Sequence, residues 1–278
     1  MRKFPLLHLV LFLVTVLTTM FAGALHQGVD PIKNPENIYK GIPFSATLIL
    51  ILLSHELSHY FASKKHKTSS TLPYFIPAPT LIGTFGAVIK MRSPILSRSA
   101  LIDIGASGPI VGFIFAVIAC IIGLRLSDVV TKVEPGMDAF GLGNSILFYL
   151  LTEIFVKVNL PEGFDLVLHP IAFAGWIGLL VTSLNLMPAG QLDGGHIAYA
   201  FLGPRHRLVS ALLVLFLIFM GFFYVGWLVW AGVLMILGLK HPPVHYWEVP
   251  LDRRRKWIGA IALVIFILTF MPEPFKVL

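Results

Sequence analysis

Charge is what this sequence has least of. Only 13% of its 278 residues are Asp, Glu, Lys or Arg, about half the share found in ordinary soluble domains. Acids are the scarcer sign, with 14 Asp and Glu against 21 Lys and Arg. A disordered chain is excluded, because disorder goes with high charge and few apolar residues. Almost any water-soluble enzyme is excluded too. Cysteine is nearly missing: Cys120 stands alone, so there is no internal disulfide framework and no reading of the redox compartment. Low-complexity tracts and internal repeats are absent, and no segment between apolar runs is long enough for a sizeable soluble domain. The formal charge of +7 is modest, and no nucleic-acid partner is expected.

Apolar length is what the sequence has in abundance. Hydrophobic residues make up 56% of it, and the mean hydropathy is +0.84. One soluble core cannot hide that much apolar surface, whereas helices in a lipid bilayer are apolar all round. Runs of spanning length cover Phe4–Leu25, Phe44–Ala62, Leu101–Leu126 and His169–Met187. Leu208–Leu239 is too long for one span and reads as two, with a turn near Gly221–Trp227, and Trp257–Met271 closes the series. The first run is read as a retained span. It is long for a signal peptide, and its only small-residue cleavage candidate is Ala22-Gly23-Ala24. Ser145–Val158 is short, carries Glu153 and Lys157, and reads as an interfacial helix. The prolines in Leu72–Pro79 forbid a helix, and Leu81–Lys90 has a strand's β-branched and aromatic residues. This stretch reads as a hairpin or re-entrant element against the bundle. The expected fold is therefore an α-helical polytopic membrane protein, a single domain over residues 1–278, with about seven transmembrane helices and a short membrane-associated β-hairpin.

Basic residues then set the direction. With the N-terminus in the cytoplasm, cytoplasmic segments hold 15 of the 21 Lys and Arg; the others are Lys33, Lys40, Arg125, Lys132, Lys157 and Lys276. Most acids fall outside, among them Asp30, Glu36, Asp128, Glu134, Asp138, Glu162 and Asp165. Seven spans place the C-terminus outside.

One span carries chemistry. His55-Glu56-Leu57-Ser58-His59 sets two imidazoles one helical turn apart on one face. That spacing suits a single Zn²⁺, with Glu56 beside it as general base for a water. Ionisable groups inside a bilayer are costly, which favours function over two interfacial histidines with Glu56 paired to a Lys. A third ligand is needed. The acids within or beside spans reduce mainly to Glu56, Asp103, Glu153 and Asp193. Asp193 follows a broken span, Asn185-Leu186-Met187-Pro188-Ala189-Gly190-Gln191-Leu192, and its depth matches that of His55. His55 lies nine residues, about 13 Å, before Lys64; Asp193 lies twelve, about 18 Å, before Arg205. Asp193 is equally suited to cap the helix it begins, and it can do both. His196 is a possible neighbour of the site rather than a ligand. Gly105, Gly108 and Gly112 form a small-residue face on the third span, which close helix packing explains as well as a role in the site. His66 among lysines reads as solvated, and His169, His206, His241 and His245 read as interfacial.

Taken together, His55–His59 in one span and Asn185-x-x-Pro188 with Asp193-Gly194 in a later broken span resemble the site-2 protease family of intramembrane zinc metalloproteases. Pro73–Lys90 and Gly105–Pro109 are similar to the branch with chloroplast and cyanobacterial members. The resemblance covers about residues 44–207. It implies one Zn²⁺ per chain held by His55, His59 and Asp193, with Glu56 as catalytic base. It places Asn185 on the substrate or the developing oxyanion. It also implies a substrate that is a transmembrane segment of another membrane protein, cut within the lipid bilayer of a cytoplasmic (inner) membrane, nearer the cytoplasmic side. The sequence departs from many members in showing no PDZ or CBS segment and in having Gly190 where a second Pro is common. Two rival readings are a divalent-metal transporter, which needs no Glu between its histidines, and an inactive scaffold that binds membrane helices, which intact Glu56 argues against.

Overall fold

The computed structural model describes residues 5–131, 140–156 and 164–277. Arg2, Lys3, Lys132, Glu134, Asp138, Lys157 and Glu162, which enter the charge comparison, lie outside the described residues, as does the end of the expected Ser145–Val158 helix.

The chain is mostly helical. In order come α1 (Leu6–Leu25), α2 (Ile42–Lys65), β1 (Tyr74–Pro77), β2 (Thr84–Val88), α3 (Arg98–Arg125), β3 (Asp128–Thr131), β4 (Phe140–Leu142), α4 (Ile146–Phe155), β5 (Phe164–Val167), α5 (Pro170–Asn185), α6 (Asp193–Leu202), α7 (His206–Met220), α8 (Gly226–Leu237), α9 (Arg253–Thr269) and β6 (Phe275–Val277). Local chemistry explains several starts. Pro43 and Pro170 occupy the first turns of α2 and α5, where the missing N–H costs nothing. Ser97, Ser145 and Asp252 cap α3, α4 and α9, each accepting from the backbone N–H three residues on.

Among the described residues, four helical stretches are long and apolar enough to cross a membrane: Leu6–Leu25, Pro35–Lys65, Arg98–Arg125 and Asp193–Met220. The apolar helices Ile146–Phe155, Pro170–Asn185 and Gly226–Leu237 are shorter, and α9 has 17 residues. The long run expected to split does so, between Met220 and Gly226. Within Asp193–Met220, α6 ends at Gly203 (φ 58°, ψ −135°). Only glycine adopts that backbone readily, so α7 starts on a new course.

The core lies where α2, α3 and α5 meet. Phe44, Leu48, Leu124, Trp176 and Leu179 are fully buried there. In lipid, helices gain little from hiding apolar surface from one another, so close packing must hold them. Small residues allow it: Gly178 lies against Ala116 and Ile51, and Gly175 against Cys120. α3 is the hub, touching α2, α4, α5, α6 and α9.

Both halves of the Pro-rich stretch are strands. β1 and β2 pair antiparallel, Tyr74 with Val88 and Pro77 with Thr84, with a bulge between Phe75 and Pro77. The hairpin is strapped to α1: Thr18 donates to the Gly83 carbonyl (2.6 Å), and His8 donates to the Pro73 carbonyl (3.0 Å). Two further antiparallel pairs, β3 with β5 and β4 with β6, had no distinct sequence signal. The β4–β6 pair joins segments more than a hundred residues apart.

Candidate metal centre

α2 carries His55, Glu56 and His59, each 5–6% exposed. The i, i+4 spacing brings the two Nε2 atoms to 3.0 Å of each other. Asp193 arrives from α6. The turn before it passes so close to the first turn of α6 that Gly194 sits against the carbonyl of Leu186 and Gly195 against that of Ala189. The Asp193 Oδ2 atom then lies 3.2 Å from His55 Nε2 and 3.3 Å from His59 Nε2. Among the described residues, His55, His59 and Asp193 are the only cluster of three or more His, Cys, Asp or Glu that converges closely enough for one ion.

The triangle's edges of 3.0–3.3 Å match a tetrahedral zinc site, where bonds of about 2.0–2.1 Å separate neighbouring donors by about 3.3 Å. The protonation pattern also fits. His59 Nδ1 donates to the Ile104 carbonyl at 2.7 Å, so its Nε2 presents a lone pair to the triangle. With a zinc ion bound, three such donors would leave a fourth position for water or substrate.

Asp193 does not cap its helix. The N-cap of α6 is Leu192, with no side-chain bond, so the carboxylate is free to face the histidines. The other acids go elsewhere. Asp103 on α3 accepts from Arg255 Nε (3.1 Å) and Nη2 (2.7 Å) and from His66 Nε2 (2.8 Å). Glu153 is exposed on α4. His66, expected in solvent among lysines, is thus held by Asp103 on the neighbouring helix.

Glu56 lies beside the triangle rather than in it, its Oε1 4.0 Å from His55 Nε2. β2 packs against α2, and Ile89, just after β2, lies near the Glu56 carboxylate, so the hairpin's end reaches the site. Asn185 ends α5, half-buried, and no hydrogen bond to its amide is found among the described residues. His196 turns to another partner, donating from Nδ1 to His241 Nε2 at 2.7 Å. His206, expected at an interface, is 1% exposed.

The α3 glycines have a specific task. A methyl at Gly108 would overlap the His59 ring; one at Gly112 would come within 3.0 Å of His55 Nδ1, and one at Gly105 within 2.9 Å of the Asp193 carbonyl. α3 thus backs all three residues of the triangle, and only residues without a Cβ let it approach so closely. The three-to-four-residue glycine spacing was visible in the sequence; what it packs against was not.

Residues 43–227 match the profile of Peptidase family M50. The chain is 30% identical over 248 residues to "Probable zinc metalloprotease EGY2, chloroplastic" of Arabidopsis thaliana, covering 87% of this chain and 44% of that protein. It is 30% identical over 241 residues to the Arabidopsis thaliana "Probable zinc metalloprotease EGY1, chloroplastic", covering 83% and 43%. To "Probable zinc metalloprotease EGY3, chloroplastic" of Oryza sativa subsp. japonica it is 25% identical, covering 84% and 42%. The chain spans less than half the length of these relatives. No solved structure matches it.

Proposed function

The chain belongs to Peptidase family M50, and from that premise we propose that it is an intramembrane zinc endopeptidase, cutting a peptide bond within or near a transmembrane segment of a membrane-protein substrate. The observation that carries this is the buried triangle of His55, His59 and Asp193 with Glu56 4.0 Å from it. His55, His59 and Asp193 would hold one Zn²⁺ per chain. Zinc, when bound, supplies a Lewis acid that makes water nucleophilic near neutral pH and polarises the scissile carbonyl. Glu56 accepts the proton of the attacking water and delivers it to the leaving amine nitrogen, so the C–N bond breaks to a carboxylate and an amine. Asn185, at the end of α5, is the donor offered to the developing oxyanion.

The substrate is a helix that must unwind, because helical carbonyls are engaged in hydrogen bonds. β2 lies in a two-stranded sheet with Phe85 and Val88 exposed, and its far end reaches Glu56. Edge pairing there would present an extended segment to the base. Small or helix-breaking residues near the cut favour such unwinding.

The spans are seven: α1, α2, α3, α5, α7, α8 and α9, with the hairpin as a membrane-associated element and residues 1–278 forming one domain. The N-terminus lies in the cytoplasm, the C-terminus outside, and the site nearer the cytoplasmic face of a cytoplasmic (inner) membrane. The split of basic residues supports that orientation. In a Cys120→Ser background, Lys33→Cys should react with an impermeant thiol reagent in intact cells and Lys65→Cys should not. The reverse pattern refutes the orientation.

For the activity, Glu56→Gln should keep zinc and fold but lose roughly a hundredfold or more of cleavage of a reconstituted transmembrane substrate. Turnover near that of the unaltered protein would refute the assignment of Glu56.

A further inference from the structure

A second polar site lies between the start of α7 and the segment after α8. Tyr199, His206, Arg207, Lys240 and His241 line a cavity of about 180 Å³. Among the described residues, no acidic side chain lines it. Arg207 and Lys240 are exposed and form no ion pair among the described residues.

His206 is the telling residue. Its Nε2 lies 3.3 Å from the Ser210 hydroxyl, while its Nδ1 is buried with no hydrogen-bond partner. A buried polar atom left unpaired is costly. Where the Ser210 hydroxyl, which also lies 3.5 Å from the Pro188 carbonyl, donates to Nε2, Nδ1 carries the proton and can donate to a ligand. His241 makes a fixed wall. Both its nitrogens are engaged, by Pro242 and His196, and its ring stacks on Tyr199 at 4.3 Å. The first turn of α7 carries no acidic residue, so the positive end of the helix dipole faces the same space unopposed.

We propose that this cavity binds a phosphate group. Two fixed cations, an unpaired imidazole, a phenol and a helix start offer more donors than a carboxylate's two oxygens use, and they suit a tetrahedral oxyanion. A second metal ion is disfavoured by the two cations and by imidazoles that do not converge as the His55 cluster does. The phosphate belongs either to an anionic lipid headgroup or to a free phosphate. It would brace the site from behind. Ser210, which touches His206, also accepts from the Gly190 N–H (3.3 Å), in the turn that leads to Asp193. The inference does not depend on the peptidase reading.

The test uses the full chain in detergent, with inorganic phosphate titrated by calorimetry, and in lipid discs containing phosphatidylglycerol or phosphatidylcholine, read by native mass spectrometry. One-to-one binding of inorganic phosphate identifies the free ligand. Retention of one phosphatidylglycerol, without phosphatidylcholine, identifies the lipid. Either should weaken roughly tenfold or more in Arg207→Gln/Lys240→Gln and persist in Arg207→Lys/Lys240→Arg. The His206 Nδ1 signal in ¹⁵N spectra of the unaltered protein should shift with the bound probe, a readout that needs no variant. No one-to-one binding of either probe, binding indifferent to loss of both cations, or an unmoved His206 signal each overturns the proposal.

Discussion

Asp103 and Asp193 lie on the packed helices α3 and α6, and each has a side chain 17% exposed and touching histidine. Their surroundings nevertheless give them different work. Asp103 faces the fixed guanidinium of Arg255 through two hydrogen bonds, and His66 donates a third. Its charge is already neutralised. Asp193 faces two imidazole Nε2 atoms, and one of those rings has its proton committed elsewhere, to Ile104. The Nε2 lone pair of His59 and the Asp193 carboxylate, 3.3 Å apart, repel one another unless a proton or a cation joins them. A carboxylate left without a protein cation is available to a metal ion, and one that faces a guanidinium serves as an anchor.

The comparison breaks most sharply at Asp193. Asp193→Ala and Asp193→Ser should both lose zinc and cleavage, by more than the roughly 10–100-fold that follows loss of a group behind a ligand. Serine caps helices about as well as aspartate, and no cap is at stake here, so Ser offers no rescue. A fully metallated, active Asp193→Ser protein, by metal analysis and cleavage assay, would remove Asp193 from the site.

Next in size is Gly108→Ala. The added methyl displaces the His59 ring, and zinc affinity should fall about 10–100-fold while the fold persists. Equal zinc affinity in competition with a chelator would show that α3 yields and does not hold the ring.

Asp103→Asn should move the other quantity. It strips charge from the Arg255 and His66 bonds, lowering stability by about 1–3 kcal/mol and leaving zinc stoichiometry unchanged. Thermal melting and metal analysis together separate the two aspartates; zinc loss in Asp103→Asn would merge them. The smallest effect is expected from His66→Gln, which leaves Arg255 on Asp103 and should cost about 0.5–1.5 kcal/mol. A larger loss of stability would make His66, not Arg255, the main partner.

Much of the site was legible along the chain. His55, Glu56 and His59 lie within five residues of one helix, so helical period alone puts both imidazoles on one face. The run from Asn185 to Gly194 announced a broken helix, because Pro and Gly interrupt it. His66 and His206 were misread because their surroundings come from elsewhere. His66 is held by Asp103 on α3, and His206 is buried beside Ser210 and His241. Asp103 and His241 are not helical neighbours that a local pattern would expose; only Ser210, four residues after His206, is.

What the sequence determined by itself is therefore local: apolar runs that become helices, prolines and serines that start them, the histidine pair, and a lopsided distribution of basic residues. Period, capping and solvation act over a few residues and need no partner. What only the tertiary structure decided is convergence. It brings Asp193, and not Asp103 or Glu153, to the histidines, sets glycines of α3 against their rings, and pairs β4 with β6. Such contacts join segments tens to more than a hundred residues apart, and which of them form depends on how the helices pack together rather than on any one of them.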